Sequence, residues 1–108
     1  MSTYVEMATS IKTEMSDTVA VTIPSIADAE IDEVAVDVSG ANIGFTLALG
    51  DAVIAMPLAA LPTSAIVCGA YVSDVDEITV SFAAKEGGSG VTGAARNFRF
   101  LCFDCTPA

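Results

Sequence analysis

The sequence predicts an all-β fold, an antiparallel β-sandwich of jelly-roll or immunoglobulin-like topology, with an N-terminal arm. Three observations carry that expectation. Apolar and polar residues alternate with period two along most of the chain, which is the pattern of half-buried strands. The alternating runs are short and end at turn chemistry: Ser39-Gly40-Ala41-Asn42, Gly50-Asp51 and Ser73-Asp74-Val75-Asp76. Finally, 108 residues that are 53% hydrophobic and 17% charged are one domain's worth of chain, too apolar to stay disordered.

The chain divides into an arm, residues 1–16, and a sandwich domain, residues 17–108. In the arm, Tyr4, Ala8, Ile11 and Met15 recur at spacings of four, three and four, one face of a helix. Residues 4–8 read equally as an added strand. The segment is more apolar than a free tail needs, so it is expected to dock on a partner. Because strands are expected to begin only after Asp17, removing residues 1–16 should leave the sandwich folded.

Seven strands follow. Val19, Val21 and Ile23 share a face before Pro24, and Val34, Val36 and Val38 alternate with Glu33, Ala35 and Asp37. Phe45, Leu47 and Leu49 form a third run ending at Gly50. Residues 52–56 and 65–72 are two short apolar strands, expected to be buried, around a loop bounded by Pro57 and Pro62. Ile78, Val80 and Phe82 alternate with Thr79 and Ser81. Residues 86–95, opening Glu86-Gly87-Gly88-Ser89-Gly90, read as a mobile loop of flexible-linker composition. In the last strand Phe98, Phe100 and Cys102 oppose Arg99, Leu101 and Phe103, so both faces are apolar beyond Arg99. Such a strand is central to its sheet or covered by a partner. Each apolar face needs a second sheet to cover it, hence the sandwich.

Charge narrows the function. Four basic residues against fourteen acidic give −10, leaving no basic surface for phosphates, so no nucleic-acid partner is expected. Histidine is absent, removing the commonest general base and metal ligand. Cys102-Phe103-Asp104-Cys105 is formally a C-x-x-C, but it lacks the second pair of a zinc site and the following helix of a redox pair. With Cys68, these read as buried or terminal thiols, a crosslink to a neighbouring chain being the alternative. The acidic clusters at Asp28, Glu30, Asp32 and Glu33 and at Asp74, Asp76 and Glu77 have calcium-type ligands without a complete calcium loop. They read as solvated turns and strand edges. No nucleophile motif or phosphate loop is present, so no catalytic residues, cofactor or metal are expected. The N-terminus has no basic, apolar leader pattern. The uncharged stretch 52–73 is long enough to span a bilayer, but Pro57, Pro62 and the flanking Asp51 and Asp74 argue against a membrane helix and for a soluble chain.

One ordered series of motifs resembles a known family. Gly50-Asp51-Ala52-Val53-Ile54-Ala55-Met56-Pro57 is followed by Ala59-Ala60-Leu61-Pro62. Gly69-Ala70-Tyr71-Val72-Ser73 and Asp76-Glu77-Ile78-Thr79-Val80-Ser81-Phe82 come next. The series resembles a small β domain of structural proteins of tailed phages and prophages, over about residues 18–99. The chain departs from it at Ala83-Ala84-Lys85 and Val91-Thr92-Gly93, where relatives commonly have an asparagine and an aspartate-proline, and residues 40–49 are longer. The resemblance implies a virion protein without catalytic residues. The expected role is capsid decoration (cement): made in the host cytoplasm, it binds the outside of a phage head and stabilises contacts between major capsid subunits. A head-fibre or tail component is the alternative, and a carbohydrate-binding module a third. The excess of apolar residues adds self-association, a trimer about a local three-fold. The expected partner interface is Tyr4, Ala8, Ile11 and Met15 of the arm with Phe98, Phe100 and Phe103 of the last strand.

Overall fold

The structure, a computed structural model, describes residues 11–105, and residues 1–10 and 106–108, with Tyr4 and Ala8, lie outside it. It is an all-β antiparallel sandwich. Its strands are β1 (Lys12–Met15), β2 (Val19–Ile23), β3 (Ile31–Asp37), β4 (Ala52–Pro57), β5 (Ala65–Asp74), β6 (Glu77–Ala84) and β7 (Ala94–Asp104). In sheet I, β7 is central, β4 lies on one side, and β1 and β2 share the other side end to end. Sheet II has the order β3-β6-β5.

The pairing is nested. β2 pairs β7 from Val19↔Phe98 to Ile23↔Ala94. After Pro24 the same register resumes at the Ile26↔Val91 bridge, whose two N–H···O bonds are 3.0 and 2.7 Å. Beyond the turn at 27–30, β3 pairs β6 from Ile31↔Ala83 to Asp37↔Glu77. One two-stranded ribbon is therefore bent over from sheet I into sheet II. This is the wrapping of a jelly roll. An immunoglobulin-like sandwich puts its last strand at a sheet edge, whereas β7 is paired on both sides.

Alternation decides what each strand buries. Phe98, Phe100 and Cys102 of β7 point inward with Val21 and Ile23, and meet Val36, Ile78, Val80, Phe82 and Val72 from sheet II. Phe82 stands edge-on to Phe98 at 6.1 Å, and Phe98 and Phe100 lie nearly parallel at 6.2 Å. Such pairs add about 0.5–1.5 kcal/mol to the burial of the rings.

Four expectations change. Lys12–Met15 is a strand, not part of a helix, so the fold begins before Asp17. Ile11 and Met15 are four apart, a spacing that fits both periods, and without β1 the backbone of Leu101–Asp104 would be unpaired on that side. Residues 45–49 are not a strand. Leu47 is buried, but its N–H donates to Asp76 Oδ1 (3.1 Å) and its carbonyl accepts from Asp76 N–H (3.0 Å), so its backbone is held by the β5–β6 turn. The strands at 52–57 and 65–74 are half-exposed edges, each paired on one side. Finally, the glycine-rich loop ends at the ribbon's bend, where Val91 bridges Ile26. Gly90 has φ +82°, and a Cβ there would stand 2.6 Å from the Ile26 carbonyl oxygen. Close backbone approach, rather than linker freedom, requires that glycine.

Candidate interaction face

The outer faces of the two sheets differ in chemistry, and a bulge arranges the difference. β1 and β2 are out of register by one residue, so Asp17 and Thr18 together oppose Arg99. Ser16 N–H donates to the Phe100 carbonyl (2.9 Å), and Ser16 Oγ accepts from Phe100 N–H (2.9 Å). The same hydroxyl donates to the Asp17 carbonyl (2.8 Å), while Asp17 N–H turns away to the Ala41 carbonyl (2.8 Å). The extra residue reverses the alternation. Odd-numbered residues of β1 therefore face outward, whereas those of β2 face the core.

On the outer face of sheet I this places Met15, Leu101 and Ile54 side by side across three strands. Phe103 lies between Thr13 and Ala52 in the next row, and Arg99 is opposite Met56. Met15 is 43% exposed, Ile54 50% and Ile11, just before β1, 47%, while Leu101 and Phe103 are half-buried. Among the described residues, no Asp or Glu occupies a ladder position on this face. Asp17 borders it at the bulge, opposite Arg99. The outer face of sheet II carries Glu33, Asp37 and Glu77, the last paired in register with Asp74, and, among the described residues, no lysine or arginine. Three large apolar side chains are exposed there as well: Ile31 and Ile66 flank Ala83 at its other end, and Tyr71 lies opposite Thr79.

The expected interface residues thus separate. Ile11, Met15 and Phe103 come together on the outer face of sheet I. Phe98 and Phe100 are fully buried in their own core and cannot meet a partner. The chain's own second sheet has taken the inward side of the two-sided apolar strand. Leu101 and Ile54 are the members that sequence reasoning missed. Leu101 shares the parity of Phe103, and Ile54 was legible only as part of an uncharged run.

The remaining polar clusters serve the fold. Asp76, at φ +52°, accepts from Val38 N–H through its carbonyl (2.9 Å) and clamps Leu47. Asp51 accepts from Ala48 N–H (3.0 Å) and Cys105 N–H (2.8 Å). Glu33 accepts from the Ser81 hydroxyl (2.9 Å). Bonds from the Ser39 backbone N–H and hydroxyl hold the Asp37 carboxyl below its usual pKa. Among the described residues no group of three histidines, cysteines or carboxylates could hold a metal ion. Cys68 and Cys105 are exposed free thiols, whereas Cys102 is in the core. Burial, aided by the Asp51 carboxylate, pushes its pKa up to about 11. No helix among the described residues is long and apolar enough to cross a membrane.

No protein-family model, curated protein or solved structure matches the chain.

Proposed function

We propose that the protein is a non-catalytic structural component of a tailed-phage virion, a decoration protein bound to the outside of the head and arranged there as trimers. One observation carries the reading: the apolar stripe Met15–Leu101–Ile54, which crosses three strands of sheet I and is left half open to solvent. Contiguous apolar surface of this kind marks a protein-interaction site. The motif series Gly50–Phe82 supports a virion setting, and the net charge of −10 suits a protein displayed at high density on a shell, where like charge keeps particles apart.

The test is to purify particles made from the genome that encodes this chain, with and without its gene. The expected result is a fixed stoichiometry of the chain on heads, with heads lacking it rupturing at lower temperature. Recovery of the chain only with tails or fibres favours the head-fibre or tail reading. Complete absence from particles refutes a virion role.

A further inference from the structure

We draw no further inference here: the strongest candidate, the open groove between the facing edges of β4 and β5, lined by Val53, Ala55, Val67, Cys68 and Ala70, is an unpartnered apolar surface with nothing in the structure to show what covers it.

Discussion

Ser16→Ala removes one oxygen and tests how the first strand is joined to the sandwich. At the bulge Ser16 Oγ replaces the backbone carbonyl that a regular ladder would offer to Phe100 N–H, at 2.9 Å, and Ser16 is 1% exposed. Its loss leaves a buried N–H with no acceptor and no route to water. Stranding such a donor costs about 1–3 kcal/mol, more than the net worth of the bond, because the desolvation penalty is no longer offset. For a domain of this size each kcal/mol lowers Tm by about 4–8 °C, so a drop of about 5–20 °C is expected. Thr18→Ala, at an exposed neighbouring position, is the control and should stay within about 0.5 kcal/mol of the parent. Urea titration followed by circular dichroism gives both free energies with the denaturant slope as a check on two-state behaviour. A Ser16→Ala variant as stable as Thr18→Ala would refute the reasoning and return β1 to the status of an optional arm.

Three further outcomes follow from the same geometry. A chain beginning at Asp17 lacks β1 and Ser16 and is expected to melt well below the full chain; equal melting temperatures would show that β1 adds nothing. Gly90→Ala must hold alanine at φ +82° with its Cβ 2.6 Å from the Ile26 carbonyl, and should cost about 1–3 kcal/mol. Gly40→Ala, with open space around it, should be nearly neutral, and equal effects of the two in a urea titration would contradict the bend. Two thiols, Cys68 and Cys105, should react with a thiol reagent at pH 8 in the folded protein, and Cys102 only on unfolding. Because folding raises the Cys102 pKa from 9.0 to about 11, the unfolded chain ionises first. Stability from this group is therefore present below about pH 9 and is lost as pH rises toward 11; an alkaline stability profile unchanged by Cys102→Ala contradicts that coupling.

Much of the fold was legible because alternation reports burial directly. The runs 19–23, 31–38, 78–82 and 97–103 became strands, the second ending one residue early at Asp37, with the expected residues facing the core. What failed, failed for identifiable reasons. Ile11 and Met15 are separated by four residues, a spacing that does not distinguish helix from strand. Phe45, Leu47 and Leu49 alternate, yet the Asp76 side chain and backbone hold Leu47 in place of a neighbouring strand. The glycines after Glu86 have linker composition, and only the three-dimensional bend shows that Gly90 is there for close backbone approach. The interaction face was half legible. Parity puts Phe103 on the face opposite Phe98 and Phe100, but which of the two faces the chain covers itself depends on sheet pairing, which alternation does not report. Ile54 and Met15 are far apart in sequence and become neighbours only through β7.

The measurement that bears most directly on the account is the orientation of the domain in a cryo-electron microscopy reconstruction of the intact particle. The expected map shows the chain on the outer surface of the head, with Met15, Leu101 and Ile54 buried against the shell and Glu33, Asp37 and Glu77 toward solvent. A map in which the acidic face of sheet II contacts the shell, or in which the Met15–Leu101–Ile54 stripe remains open to solvent, contradicts it.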